Sequence, residues 1–180
     1  MLYPFSALLA RMKYITRWSL MHSTRAESLS EHTCDTALLA HMLCLIARRY
    51  TGTPCRPKTV AVAALYHDAP EILTGDLPTP IKYYNPDIRD AYREVEQFSA
   101  HKLLHMLPEA LRPSFAPLLR EGYDPGLRTL VKAADKLSAY IKCVEELRAG
   151  NDEFARAGES ILAQIEALDL PEARAFLSEF

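Results

Sequence analysis

Apolar residues recur along this chain at the three-to-four-residue spacing of helices, not at the alternation typical of strands. From residue 37 to residue 47 nearly every position is apolar, which predicts a helix running through the middle of the domain. The stretches 59–68 and 127–141 also carry apolar stripes at helical spacing. Since no segment reads convincingly as a strand, the pattern predicts an all-α fold.

Capping and breaking residues predict where the helices begin and end. Ser28 and Glu31 have the spacing of a capping box in front of the most apolar helix. Asn85-Pro86 and Asp124-Pro125 each place an N-cap before a proline at the first helical position. Helices are therefore expected over about 6–14, 28–50, 59–68, 85–107, 124–149, 153–168 and 171–178, with 73–80 as a loop.

The size and charge of the chain restrict its class. A length of 180 residues with 49% hydrophobic residues predicts one domain, able to bury about 70% of its unfolded surface. A net charge of -2 argues against binding a nucleic acid polymer or a membrane surface over a broad area. The four cysteines contain no C-x-x-C pair and are expected to be reduced, as in a cytoplasmic protein. No apolar run reaches the length of a membrane span.

Residues 1–26 contain no acidic residue but include Arg11, Lys13, Arg17 and Arg25. Such a segment can favour an anion. A solvated basic face or a vestigial targeting peptide explains this observation equally well, although the basic residues interrupt any clean secretory leader.

Four side chains carry the candidate chemistry: His32, the pair His67-Asp68, and Asp135, each in a helix-forming, mostly apolar stretch. Two imidazoles and two carboxylates can hold one divalent cation. Taken singly, each has a simpler explanation, such as a solvent-facing first-turn histidine or an aspartate paired with a neighbouring lysine. Together, they suit separate helices that return to a shared centre.

The order H…HD…D of these residues resembles the HD-domain metal-dependent phosphohydrolases. Longer motifs resemble one branch of that superfamily, the bacterial 5'-deoxynucleotidases, over about residues 6–154. These motifs are Arg17-Trp18, Ser30-Glu31-His32, YHDAPEILTGDLPTPIKY at 66–83, and Lys132-Ala133-Ala134-Asp135. The resemblance implies a single HD domain over 1–180, with the site between about 17 and 135.

The resemblance assigns His32, His67, Asp68 and Asp135 as ligands of one divalent metal ion. A mixed nitrogen and oxygen set suits Mn, Fe, Co, Ni or Zn better than Mg, without choosing among them. Open coordination positions would take a phosphate oxygen and a water, so His32, Asp68 and Asp135 are also expected to border the substrate.

Two further residues are candidates for the catalytic step. Glu71 lies three residues after Asp68 and is expected to assist proton transfer, whereas its alternative role is an exposed acid at a loop entry. Arg17 can hold two phosphate oxygens with its planar guanidinium, although a surface arginine is the simpler interpretation.

The resemblance also implies a nucleoside pocket. Trp18 is expected to pack beside the sugar and disfavour a 2'-hydroxyl, although by chance it would be a core aromatic. Asp76 is expected to accept a hydrogen bond from the 3'-hydroxyl, and Leu77, Pro78 and Thr79 to wall the nucleoside. Turn chemistry alone also explains Asp76.

The four other histidines are not assigned to the metal site. His101 and His105 stand four apart on a predicted helix but lack the glutamate of a zincin motif. His41 is expected to be a hydrogen-bonded core residue, and His22 is uninformative. The chain also lacks a Walker loop and a G-x-S-x-G elbow.

The leading hypothesis is a cytoplasmic, metal-dependent 5'-deoxynucleotidase that converts deoxyribonucleoside 5'-monophosphates to deoxyribonucleosides and phosphate. The resemblance also implies a homodimer. One alternative is an HD phosphohydrolase acting on another nucleotide phosphate ester. The other is a non-catalytic HD module that binds a nucleotide or a protein around a structural metal.

Overall fold

The computed structural model of the chain describes residues 3–119, 122 and 124–180. Its α-helices are α1 Phe5–Leu9, α2 Leu29–Ile46, α3 Pro57–Tyr66, α4 Glu71–Thr74, α5 Thr79–Lys82, α6 Pro86–His105, α7 Arg112–Leu119, α8 Pro125–Arg148, α9 Ala155–Glu166 and α10 Pro171–Glu179. Turns of 3₁₀ helix cover Ala10–Tyr14, Glu109–Leu111 and Asp152–Phe154, and a π-helical turn, Ala47–Thr51, follows α2. Within these residues, β pairing is limited to one antiparallel bridge between Thr16 and Ser28. The predicted all-α fold is confirmed.

The residues predicted to begin the helices form capping hydrogen bonds. The hydroxyl of Ser28 accepts a hydrogen bond from the Glu31 amide, and the Glu31 carboxylate accepts one from the Ser28 amide, so the capping box is complete. The side chains of Asn85 and Asp124 cap α6 and α8. After the π-helical turn, Gly52 adopts a left-handed conformation with φ 69°, which favours glycine and ends the helical segment.

The main hydrophobic core forms where α2 packs against both α3 and α8. Leu43 of α2, Val60 of α3 and Leu137 of α8 are almost fully buried in it. Burying a side chain of this size stabilises the fold by about 2 kcal/mol. The core therefore fixes the start of α2, the end of α3 and the middle of α8 relative to one another, and these are the places that carry His32, His67 and Asp135.

A second hydrophobic cluster packs the beginning of the chain and α6 and α7 beside the end of α3. The ring of Phe115 meets Phe5 and Tyr66 edge-on, with centroid distances of 5.3 and 5.6 Å. Because such edge contacts are favourable in addition to the area they bury, this cluster holds the residues after Tyr66 against the rest of the domain.

The prediction that α2 runs through the middle of the domain is only partly right, and the prediction of a core His41 is wrong. His41 is exposed, and so are Leu38, Met42 and Leu45. α2 is apolar on nearly all faces, but only some of these faces meet α3 and α8, and composition does not show which. Despite this apolarity, no helix among the residues described has the length and hydropathy needed to cross a membrane.

The prediction of reduced cysteines is also wrong for one pair. Cys44 and Cys55 form a disulfide with Cα atoms 5.7 Å apart, whereas Cys34 and Cys143 are free thiols. The turn at Gly52 folds the chain back between the two half-cystines. Their separation of 11 residues matches no recognisable spacing motif, so this pairing was not predictable from the sequence.

Candidate active site

His32, His67, Asp68 and Asp135 come together where α2, α3 and α8 meet, and one potential ligand atom of each lies within 4.8 Å of the others. Asp68 Oδ2 is 3.1 Å from His67 Nε2 and 3.5 Å from His32 Nε2. Asp135 Oδ1 is 3.1 Å from His32 Nε2 and 3.9 Å from His67 Nε2. Ligands bonded to one zinc-sized ion lie roughly 3 to 4 Å from each other, given bonds of about 2.1 Å. The four residues thus have the spacing of a metal-binding set.

His67 is oriented by the backbone so that one ring nitrogen points into the cluster. The chain leaves α3 at Tyr66, and the Nδ1–H of His67 donates to the Ala64 carbonyl at 2.6 Å. Its Nε2 atom is buried and makes no hydrogen bond, although Asp68 Oδ2 lies 3.1 Å away. A backbone contact of this kind fixes the tautomer that a metal requires, and the unpartnered Nε2 is available as a ligand.

His32 is oriented in the same way by α8. Its ring is fully buried, Nδ1 lies 3.1 Å from Ser138 Oγ, and Nε2 faces Asp135. Burial opposes protonation of both histidines, but the carboxylates around them raise the pKa of His32 and raise the pKa of His67 well above its usual value. The cluster therefore favours positive charge at its centre, as expected of a cation site.

Arg17 adds a guanidinium at the edge of this cluster. Its side chain is only 11% exposed, and Nη1 is 3.7 Å from Asp68 Oδ2. Burial opposes its charge, yet Asp68, Asp76 and Asp135 keep the pKa of Arg17 above its ordinary value. The predicted phosphate-binding residue is therefore buried, charged and adjacent to a candidate metal ligand, not an ordinary surface arginine.

Glu71 is the first residue of α4 and lies against the cluster. The sequence predicted a loop over 73–80, but residues 73 and 74 belong to α4, and α5 begins at residue 79. The short helices α4 and α5 bracket a shorter irregular segment, residues 75–78. The Glu71 side chain is buried, and its Oε2 has no hydrogen-bond partner. Burial, then the negative charges of Asp68 and Asp76, raise the pKa of Glu71 well above its usual value. A buried carboxyl whose pKa is raised in this way is suited to acid–base chemistry.

The segment after Gly75 forms one border of the cluster. Asp76 is half-buried, and burial raises the pKa of its carboxyl although Arg17 opposes this shift. Leu77 and Pro78 follow it and are half-buried, whereas Thr79 is exposed at the start of α5. The structure thus brings Asp76 into electrostatic reach of the cluster, and the contacts of these four residues with a nucleoside remain predictions.

Trp18 lies at a second border, in residues 17–27, which we call the Trp18 loop. Its backbone has φ 60°, a left-handed conformation that strains an aromatic residue and that recurs at functional sites. The indole N–H donates to Glu27 Oε2 at 2.7 Å, and the ring lies 5.2 Å from the ring of Phe154. Trp18 is therefore fixed at the rim of the site and is not part of the hydrophobic core.

Glu27 is a residue of the candidate site that no sequence motif predicted. Its carboxylate accepts from Trp18 and lies 3.3 Å from Arg17 Nε and 3.4 Å from His32 Nδ1. Burial would raise the pKa of Glu27, but His32 and Arg17 lower it. Glu27 thus contacts Arg17, Trp18 and His32, the residues predicted to bind the phosphate, the sugar and the metal. No motif could reveal it, since its partners meet only in the folded chain.

His101 and His105 do not belong to the cluster. Both are exposed on α6, with ring centroids 4.1 Å apart, and the Nδ1 of His105 contacts the His101 carbonyl. Within the described residues, potential metal ligands converge only at His32, His67, Asp68 and Asp135.

Comparison with known proteins relates the whole chain to one family. A family model described as 5'-deoxynucleotidase YfbR-like matches residues 4–180, further than the predicted limit of residue 154. A 5'-deoxynucleotidase of Vibrio parahaemolyticus is 47% identical over 177 residues, which cover 98% of this chain and 91% of that protein.

Two solved structures share the fold. An HD-domain phosphohydrolase from Listeria innocua matches with a TM-score of 0.86 and 24% identity, over 98% of this chain and 85% of the other. A cyanophage S-2L HD phosphohydrolase, bound to dA and one catalytic Zn²⁺ ion, matches with a TM-score of 0.66 and 22% identity, over 90% and 82% of the two chains. These likenesses show that the helices adopt the HD-domain fold.

Proposed function

The chain belongs to the 5'-deoxynucleotidase YfbR-like family, and we propose that it hydrolyses deoxyribonucleoside 5'-monophosphates to deoxyribonucleosides and phosphate. The observation that carries this proposal is the convergence of two imidazoles and two carboxylates, with Arg17 and Glu71 beside them. We assign His32, His67, Asp68 and Asp135 as ligands of one divalent transition metal ion. The Zn²⁺ in the cyanophage structure supports a metal of this type without identifying the ion used here.

Each residue around the cluster has a separate role in the reaction. When bound, the ion polarises the phosphoryl group and lowers the pKa of a water. Arg17 holds two phosphate oxygens and aligns the phosphorus for in-line attack. As the water oxygen bonds to phosphorus and the bond to the 5'-oxygen breaks, Glu71 delivers a proton to the departing oxygen, and the proton lost by the attacking water restores the Glu71 carboxyl.

Sugar recognition is assigned to the two borders of the site. Asp76 accepts a hydrogen bond from the 3'-hydroxyl, and Leu77, Pro78 and Thr79 form the wall of the nucleoside pocket. Trp18 packs against the sugar and leaves no room for a 2'-hydroxyl. The bound dA in the cyanophage enzyme supports a deoxynucleoside beside an HD metal site.

The direct test is phosphate release from deoxy- and ribonucleoside 5'-monophosphates, using chelated protein resupplied with Mn, Co, Zn or Mg. We expect metal-restored turnover that favours the deoxy series. Thermal stabilisation by nucleotides without phosphate release, with every metal, would instead support a binding module.

Replacement of Trp18 by alanine is expected to lower the preference for dAMP over AMP, measured as the ratio of kcat/KM values, by about tenfold or more. Excluding one small group from an apolar pocket contributes about 1 to 3 kcal/mol of discrimination, and the alanine variant opens this space. Trp18→Phe is the matched control, since it keeps an aromatic ring and should retain part of the preference. An unchanged ratio in Trp18→Ala would remove Trp18 from sugar selection.

Metal binding is expected to stabilise the fold through the same cluster. A metal at 100 times its Kd adds about 2.7 kcal/mol, which corresponds to a rise in Tm of about 5 to 10 °C for a protein of this size. We expect this rise when chelated protein receives Zn or Mn, and we expect Asp135→Asn to lose most of it. Asp90→Asn is the control, because Asp90 is exposed and pairs with Arg89 away from the cluster. Equal rises in both variants would contradict the ligand assignment.

We also propose that the protein is a homodimer. Leu38, Met42 and Leu45 occupy one stripe of α2 at helical spacing and are exposed. Exposed apolar stripes of this kind commonly mark protein interfaces. Measuring the molar mass in solution for the wild type and Met42→Glu tests this assignment, since the charge should shift a dimer towards monomer.

A further inference from the structure

A buried polar cluster remote from the metal residues anchors the tip of the Trp18 loop. Glu146 of α8 is 1% exposed, yet its carboxylate accepts hydrogen bonds from the Thr24 amide at 2.8 Å and from the Thr24 hydroxyl at 2.9 Å. It also contacts the Arg25 amide at 3.3 Å and the Asn151 side chain at 2.9 Å. One carboxylate thus fixes two consecutive loop residues and the turn after α8.

Lys142, one turn earlier on α8, completes this cluster. Its ammonium group is buried, pairs with Glu146, and donates to the Arg25 carbonyl at 2.6 Å. Burial alone would raise the pKa of Glu146, but Lys142 and the donors from Thr24 and Asn151 lower it well below its usual range. The carboxylate is therefore fully charged when it holds the loop.

The other end of the loop is held near the metal residues. The Arg17 amide donates to the Glu27 carbonyl at 2.9 Å, and the Leu29 amide donates to the Ile15 carbonyl at 2.8 Å. This short antiparallel pairing closes the base of the loop, and Glu146 holds its tip. Trp18, with its strained backbone, lies between the two anchors and rests on Phe154, which follows Asn151 on the same turn.

We propose that Glu146, through Thr24 and Arg25, is a positioning residue that holds Trp18 and Arg17 in the site and thereby determines the discrimination between 2'-hydrogen and 2'-hydroxyl substrates. The selectivity part of this proposal rests on the proposed function. Glu146 has no contact with the metal residues, so its effect on turnover passes through the loop.

The test compares Glu146→Gln with Glu145→Gln, which removes a neighbouring exposed carboxylate from the same helix. Glu146→Gln replaces one acceptor oxygen with a donor, so the loop loses contacts. Since small displacements of positioning groups have large kinetic effects, kcat/KM for dAMP should fall by about tenfold. The value for AMP should fall less, because a displaced Trp18 no longer excludes the 2'-hydroxyl, and the dAMP/AMP ratio should drop about fivefold. Glu145→Gln should keep both values.

Trp18 is the only tryptophan in the chain, so its fluorescence reports the loop position independently of turnover. In Glu146→Gln, the emission should shift to longer wavelength and acrylamide quenching should increase, with no change in Glu145→Gln. If either the emission or the substrate ratio of Glu146→Gln matches that of Glu145→Gln, the proposal is wrong.

An unfolded Glu146→Gln variant and an inactive wild-type protein each have their own test. If Glu146→Gln shows no cooperative melting, Thr24→Ala decides by the same two measurements, because it removes one loop contact at an exposed residue without burying an unpaired charge. If the wild-type protein releases phosphate from no nucleotide, the proposed function fails. The fluorescence comparison then decides by itself whether Glu146 positions Trp18.

Discussion

Replacement of Asp68 by alanine is expected to reduce metal-supported phosphate release by at least about 10³-fold, because the catalytic ion contributes several kcal/mol and each 1.4 kcal/mol is tenfold in rate. Asp68 Oδ2 lies within 3.7 Å of both candidate histidine ligands and of Arg17. The change therefore removes a proposed ligand and leaves the guanidinium without its nearest carboxylate in the cluster. The measurement is kcat/KM for dAMP with Mn, Co or Zn in excess, together with the metal content of the purified protein.

The two readouts separate loss of the metal from loss of chemistry. A variant without metal and without turnover supports Asp68 as a ligand, whereas a variant that keeps its metal but not its turnover places Asp68 mainly at the substrate. Asp90→Ala, an exposed change on α6, should leave both values at the wild-type level. Wild-type turnover in Asp68→Ala would remove this residue from the proposed site.

The helix starts were predictable because their signals are local. Ser28 and Glu31 are three residues apart, and each satisfies the backbone of the other once a helix begins. Asn85 and Asp124 act in the same way within one turn. None of these contacts depends on how distant helices pack, so the sequence alone contains the whole interaction.

The direction in which a residue faces is less predictable. Residues 37–47 are apolar on nearly every face, so periodicity could not distinguish the buried Leu43 from the exposed Leu38, Met42 and His41. Tertiary packing decides this, since α3 and α8 cover only part of α2. The same limit applies to Cys44 and Cys55, whose pairing follows from the turn between them.

The candidate site contains residues that local motifs predicted and residues whose contacts depend on tertiary packing. The four candidate metal ligands and Glu71 lie in recognisable motifs, and the structure places these side chains close together. Glu146 was not predictable, because its partner Thr24 lies 122 residues away. Glu27 was not predictable either, because it meets Trp18, at a separation of 9 residues, only when the loop between them folds back. In sequence, Lys142 and Glu146 look like an ordinary i,i+4 pair on a helix surface. Only the docking of the Trp18 loop buries them.

Replacement of Glu71 by glutamine should lower kcat for dAMP by about 10² to 10³-fold with little change in KM, since general acid–base catalysis contributes factors of this size. Glutamine has nearly the same shape but cannot exchange a proton. The side chain is buried with an unpartnered oxygen, and burial with two nearby carboxylates raises its pKa. Steady-state kinetics on metal-supplied protein measure the effect, and Glu94→Gln, an exposed change on α6, is the control.

The destination of the proton can be tested with p-nitrophenyl phosphate. Its nitrophenolate leaving group departs without a proton, whereas the 5'-alkoxide of a nucleoside is a poor leaving group that needs one. If Glu71 protonates the departing oxygen, Glu71→Gln should lose much less activity on the aryl phosphate than on dAMP. Equal losses on both substrates would place Glu71 at the attacking water instead. A loss below about threefold on dAMP, smaller than any proton-transfer role predicts, would leave Glu71 without a catalytic function.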